Sequence, residues 1–168
     1  MELTTEEFSL TKFKPEDIDS RYLGWLNNKY HMKYSDQRHV RHTEESANNF
    51  LESFTNSDNF FLSIIDPKNE KIGTVTIYYD KFNHQANAGF LVAPEVSGKG
   101  IGTFVLTTLI EGLPKIVILK KLSCGTCELN LPMLKVFQKS GLVEDYRDRN
   151  SFFFEGKYYD KLIFAKYY

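Results

Sequence analysis

"VAPEVSGKGIGTFVLTTLIEGL", residues 92 to 113, leaves an apolar strand end, crosses Gly98, Gly100 and Gly102, and enters an amphipathic helix. Glycine in a helix interior costs up to about 1 kcal/mol relative to alanine, so alternating glycines at this junction imply a need for bare backbone. Such a turn gathers unpaired N–H groups at the positive end of a helix dipole, an anion site best suited to phosphate. Lys99 and Thr103 add a charge and a hydroxyl. The pattern G-x-x-x-x-G-K-[ST] of nucleotide hydrolases is absent. The dinucleotide pattern G-x-G-x-x-G fails too, because Ile101 and then Gly102 follow Gly98-Lys99-Gly100.

Outward from the turn, "QANAGFLV" (85–92) reads as the third strand of an antiparallel meander. Its first two strands are "NFFLSII" (59–65) and "KIGTVTIYY" (71–79), joined by a turn at Asp66-Pro67-Lys68-Asn69. Earlier, "FSLTKFK" (8–14) alternates as a strand, and Pro15 opens a helix with Ile18, Tyr22, Trp25 and Leu26 on one face. Thr43 caps a second helix, with Glu44 and Glu45 in its positive first turn and Ala47, Phe50, Leu51 and Phe54 as its apolar stripe. After the glycines, Leu106, Leu109, Ile110 and Leu113 share a helix face that Gly112 and Pro114 stop. A strand over 116–127, a helix from Asn130 closed by Gly141, and two long strands around Glu155-Gly156 complete the chain. The pattern is one α+β domain over residues 1–168, with seven strands and four helices.

The chain has 168 residues, 42 % apolar and 15 % aromatic, enough for one genuine core. Lys plus Arg number 21 against 22 Asp plus Glu, which gives no electrostatic case for nucleic acid. No stretch reaches the ~20 apolar residues that span a membrane, and the start, "MELTTEEFSL", is acidic where an export signal is basic. The expectation is a cytoplasmic protein with neither membrane nor nucleic acid as partner. Cys124-Gly125-Thr126-Cys127 has the spacing of redox and zinc motifs. Read as a strand, it sends the thiols to opposite faces, roughly 10 Å apart and beyond disulfide reach. Zinc would need two further ligands, so no metal is expected.

"LVAPEVSGKGIGTFVL" (91–106) resembles the acetyl-CoA motif of the GNAT family of N-acetyltransferases, where a strand ends in V-x-P-E and a Q/R-x-x-G-x-G/A turn follows. "NLPMLKVFQKSGL" (130–142) is similar to that family's N-x-x-x-x-x-[LV]-[YF]-x-K-x-G-[FL] helix. The resemblance extends through the order of elements along essentially the whole chain. It implies a central, mixed, largely antiparallel twisted sheet of about seven strands with about four helices on its faces.

It further implies acetyl-CoA as acyl donor. The amides of Gly98, Lys99, Gly100, Ile101, Gly102 and Thr103 would hold the pyrophosphate. Backbone groups of Phe90, Leu91 and Val92 would meet the pantetheine arm like an added strand, with the Val92 N–H as oxyanion donor. Asn130 matches the residue that bonds the cofactor arm, and helix capping suits it equally. Three positions depart from the family pattern. Ser97 stands where Gln or Arg is usual, Phe137 where many members carry a tyrosine that protonates the thiolate, and Asn87 where many carry a glutamate base. Some group or a water chain must then take the amine's proton: His84, Asp80 and Glu128 are the candidate side chains, His84 foremost.

"YLGWLNNKYHMKYSDQRHVRHTEESANNFLESF" (22–54) resembles the branch with ribosomal-protein N-acetyltransferases and bacterial acetyltransferases of sugar-nucleotide biosynthesis. Tyr34, Ser35, Gln37 and Arg38 are thereby candidate acceptor contacts, with Arg38 suited to a phosphate. The expected reaction is acetyl transfer to the primary amine of a small molecule, such as a nucleotide-linked amino sugar. A protein N-terminus or lysine as acceptor, or a non-catalytic CoA-binding module, are the alternatives. The aromatics Phe152, Phe153, Phe154, Tyr158 and Tyr159 mark either a homodimer edge or a lid over the acceptor.

Overall fold

The computed structural model describes residues 2–5 and 7–168. Its strands are β1 (Leu3–Thr4), β2 (Ser9–Lys12), β3 (Phe60–Ile65), β4 (Lys71–Asp80), β5 (Gln85–Val92), β6 (Lys121–Cys127), β7 (Val143–Phe154) and β8 (Lys157–Tyr167). Its helices are α1 (Ser20–Asn27), α2 (Glu44–Glu52), α3 (Ile101–Gly112) and α4 (Leu131–Lys139). The strands form one sheet in the order β1-β2-β3-β4-β5-β6-β8-β7, antiparallel throughout except where β5 meets β6. The sheet is mixed and largely antiparallel as expected, with eight strands in place of seven. The extra one, β1, is two residues long and too short to carry a periodicity.

Alternation along the strands divides the core between two faces. Leu62 and Ile64 of β3 join Val105, Leu106 and Leu109 of α3 and Phe137 of α4, while the preceding Phe61 joins Tyr22 and Trp25 of α1 and Ala47 of α2. Phe137, at the position of the family's tyrosine, is buried against Phe164 at 5.4 Å and belongs to the first core.

Three boundaries differ from the sequence expectation. The helix from Pro15 is a 3-10 turn over Pro15–Asp17, and α1 restarts at Ser20 with the Asp19 carboxylate accepting from the Tyr22 N–H at 2.7 Å. Asp17 breaks it, because its Oδ2 accepts from the Lys14 N–H at 2.8 Å and the Ser63 hydroxyl at 3.0 Å, fixing the turn to β3. The strand over 116–127 begins only at Lys121. Upstream, Leu113–Lys115 form a 3-10 turn, and the Lys120 N–H donates to the His84 carbonyl at 2.7 Å, so pairing with β5 starts one residue later. The strand over 8–14 contracts to Ser9–Lys12.

Candidate active site

β5 and β6 run parallel for three residue pairs, Gln85–Lys121, Ala86–Leu122 and Asn87–Ser123, and then separate. Each is held elsewhere: β5 pairs with β4 over its whole length through Val92, and β6 pairs with β8 from Lys121 to Cys127. A wedge opens between them. Its apex is closed by the Asn87 amide donating to the Ser123 hydroxyl at 3.1 Å, which donates to the Ala86 carbonyl at 3.2 Å.

Strand geometry decides which backbone groups line that wedge. The Ala93 N–H donates to the Ile72 carbonyl at 2.8 Å, so the Val92 carbonyl of the same peptide points away from β4. A Cβ placed on Gly73 of β4 would lie 2.3 Å from the Leu91 carbonyl, so the Val92 N–H of that peptide also points away. Alternation gives Phe90 the same orientation as Val92. The N–H and C=O of Phe90 and Val92 therefore face the wedge, and those of Leu91 face β4. This corrects the expectation that all three residues offer their backbone to a ligand.

Beyond β5, Pro94–Val96 form a 3-10 turn, and Gly98 and Gly100 adopt φ of +82° and +83°. A Cβ at either would meet nothing within 4 Å, so backbone conformation and open access call for glycine there. Gly102 has a different reason: a Cβ would sit 3.1 Å from the Phe90 ring and 3.4 Å from Val136, where α3 crosses β5 and α4. The first N–H satisfied within α3 is that of Phe104, donated to the Gly100 carbonyl at 3.1 Å. The N–H groups of Ile101, Gly102 and Thr103 have no carbonyl inside the helix to donate to, at the positive end of a 12-residue dipole. These amides, unpaired within the helix, fit a phosphate, and Lys99 is exposed beside them.

The entry to this turn is fastened to α1. Arg21 pairs with Glu95 at 2.8 Å and lies over the Trp25 ring at 5.4 Å. Burial works to raise the Glu95 carboxyl, but its own backbone N–H, Arg21 and Trp25 outweigh it and hold that carboxyl below its ordinary range.

The segment from Asn28 to His42 covers the wedge from the side of α1 and α2. Asn27 clamps its ends, donating to the His42 carbonyl at 2.8 Å and accepting from the His42 N–H at 2.9 Å. Within it, His31 reaches β5: its Nε2 lies 2.7 Å from the Val92 carbonyl. A carbonyl only accepts, so Nε2 carries the proton, and in the neutral ring Nδ1 keeps its lone pair. Sequence reading passed over His31 because nothing local marks it; its partner is 61 residues away.

His84, the foremost candidate base, lies beyond the closed apex, roughly 25 Å along β5 from Val92 at ~3.3 Å per residue. It is a turn residue at φ +54° whose buried Nδ1 has no partner among the described residues, and it does not reach the wedge. Asp80 accepts from the N–H groups of Phe82 and Asn83 and from the Asn83 amide, which hold its carboxyl below its usual range. Glu128 accepts from the Asp160 N–H at 2.9 Å. Asp80 is engaged within its own turn, and Glu128 is tied to β8.

The acceptor candidates divide. The Ser35 hydroxyl accepts from the Gln37 N–H at 3.2 Å, capping a 3-10 turn over Asp36–His39. Arg38 is pinned: it donates to the Ser35 carbonyl at 2.8 Å and the Phe153 carbonyl at 2.7 Å, and stacks over Phe152 at 4.2 Å. Tyr34 packs on Phe154 at 5.7 Å, and Gln37 is exposed. Phe152 and Phe154 thus anchor this segment from below, while Phe153 between them points outward against Tyr158. Asn130 does not cap α4; its amide donates to the Thr126 hydroxyl at 2.9 Å, on the strand bordering the wedge. Cys124 and Cys127 are buried free thiols on opposite faces of β6, and no metal-binding cluster occurs among the described residues.

A splayed parallel pair leading into a glycine turn and helix defines a class of acyl-transfer scaffold, and comparison with known proteins gives the family. A model described as an acetyltransferase (GNAT) domain matches residues 8–143, and the chain belongs to that family. It is an N-acetyltransferase.

Solved structures agree in fold. Spermidine N-acetyltransferase from Vibrio cholerae, in complex with CoA and spermine, superposes with a TM-score of 0.86 at 18% identity, covering 97% of this chain and 96% of that one. Ribosomal-protein-S5-alanine acetyltransferase from Vibrio fischeri gives 0.84 at 20% identity, with 99% and 96% covered. The microcin C7 self-immunity acetyltransferase MccE, in complex with acetyl-CoA and AMP, gives 0.83 at 18%, with 98% and 94% covered. No curated protein matches the chain in sequence.

Proposed function

We propose that this chain transfers an acetyl group from acetyl-CoA to the primary amine of a small molecule, of the kind represented by a nucleotide-linked amino sugar. The observation that carries the reading is the wedge leading directly into the bare amides of Gly98–Thr103. Those amides, with Lys99, would hold the donor's pyrophosphate. The wedge-facing groups of Phe90 would pair with the pantetheine arm, and Asn130 borders the same opening. Acetyl-CoA supplies an activated acetyl thioester. The Val92 N–H would polarise the thioester carbonyl.

An attacking amine must lose a proton, and His31 takes the role once expected of His84. With Nε2 committed to Val92, its Nδ1 is available to accept a proton directly or through one water. No tyrosine stands at position 137, so the departing thiolate takes its proton from solvent.

The solved relatives act on or bind several kinds of molecule: spermine for one, a ribosomal protein for another, AMP for a third. The pinned, aromatic-backed segment over the wedge favours a compact acceptor over a protein. The test is a calorimetric titration with acetyl-CoA, using free adenosine nucleotides as control, followed by a turnover screen. The screen covers nucleotide-linked amino sugars, spermidine and peptides with free N-termini. Saturable acetyl-CoA binding and turnover of the first group is the expected result. Turnover of peptides alone moves the chain to the protein-modifying class, and binding without turnover of any amine makes it a CoA-binding module.

A further inference from the structure

Between the C-terminal end of α1 and the 3-10 turn over Asp36–His39 lies a cavity of about 260 Å³, lined by Leu26, Asn27, Lys29, Arg38, His39, Val40 and Arg41. No carboxylate lines it. The chain as a whole has a net charge of −1, so this gathering of cationic side chains is local and not a reflection of general basicity. Among the described residues, Lys29, His39 and Arg41 form no ion pair. Arg38 has one only at 3.8 Å, to Asp36, whose closer partner is Lys161 at 2.6 Å. Like charges held together repel, and an anion seated among them converts that repulsion into attraction.

The walls are fixed in advance. Asn27 clamps the two ends of the covering segment, and Arg38 is held by two carbonyls and the Phe152 ring. Two of its five N–H groups are used, leaving donors in the geometry that suits phosphate oxygens. Leu26 and Val40 add an apolar wall for a carbon skeleton. Ligand sites for whole drug-sized molecules start at about 300 Å³, so this one is sized for a phosphate and the first part of what carries it.

We infer that this cavity is a second anion site, separate from the glycine turn, and that it takes a phosphate group of the acceptor. The assignment to the acceptor rests on the transferase reading above. The segment that forms the cavity also carries His31 to the Val92 carbonyl, so a molecule anchored at Lys29 and Arg41 is bound by the same element that borders the wedge.

The experiment is a calorimetric titration of the full chain with AMP after saturation with CoA, which occupies the glycine turn. Expected are saturable binding, displacement of AMP by inorganic phosphate, and a loss of affinity of about tenfold or more in K29A/R41A. Raised salt weakens the binding, and K33A, which removes a cation of the same segment outside the cavity, leaves it unchanged. Both altered side chains are exposed, so the double variant folds, as a thermal melt verifies. Absence of AMP binding, AMP that phosphate does not displace, or equal affinity in K29A/R41A overturns the inference. If CoA itself fails to bind, the transferase reading falls, while AMP titrations of the wild type and K29A/R41A still decide the cavity.

Discussion

The glycine turn from Gly98 to Thr103 and the segment from Asn28 to His42 flank the same wedge and are built on opposite principles. The turn acts through its backbone: two left-handed glycines and the open amides of a helix start are properties of a few consecutive residues. The segment acts through side chains whose partners are remote. His31 meets a strand 61 residues on, Arg38 a carbonyl 115 residues on, and Asp36 a lysine 125 residues on. A function carried by local backbone is written in adjacent letters; one carried by tertiary contact is not.

Substitutions can break this contrast. The largest expected effect is at Gly100, where G100V places a β-branched residue at φ +83°. Strain of about 1–3 kcal/mol and the added bulk should lower acetyl-CoA affinity roughly a hundredfold by calorimetry, and the strain should lower the melt by several degrees. H31Q should reduce turnover by about two orders of magnitude while changing acetyl-CoA affinity by less than about threefold. An equal loss in both would make His31 a support for β5 and not a proton acceptor.

Smaller effects sharpen the contrast. R38K cannot serve two carbonyls and an aromatic face at once. It should cost about 1–3 kcal/mol in denaturant unfolding and leave acetyl-CoA affinity unaltered, because the covering segment and the turn are separate devices. S97R, which restores the residue type usual beside such a turn, should tighten acetyl-CoA binding only a few-fold if the amides do most of the holding, as proposed. Finally, burial pushes the Cys124 thiol up to about 12 and raises Cys127 as well. Both should resist iodoacetamide at pH 8 until the protein is unfolded, and labelling of the native state would contradict their placement in β6.

The same contrast explains what could be read in advance. β5 was legible residue for residue as Gln85–Val92, and Thr43 caps α2 as its hydroxyl and the two glutamates after it indicate. The hairpin of β3 and β4 and the glycine turn were equally plain. Where a residue's role depends on a distant partner, sequence reading failed. "IVILK" (116–120) has strand chemistry, yet α3 ends in a 3-10 turn and the Lys120 N–H is taken by His84. Asn130 sits at an N-cap but turns its amide to Thr126. His84 and His31 are alike in composition terms; only the fold places one beyond the apex and the other on Val92. Alternation in β5 and β4 decided the exclusion of Leu91, which no single-strand pattern contains.

The clasp between α1 and the turn entry has an optical consequence. Trp25 is the chain's one tryptophan, so all indole emission comes from a buried ring with Arg21 above it and Glu95 drawn toward both. Glu95 lies three residues before Gly98, on the same rigid entry. A doubly charged pyrophosphate bound at the turn would shift the field across that ring, so titration with acetyl-CoA should change the Trp25 emission with no dye attached.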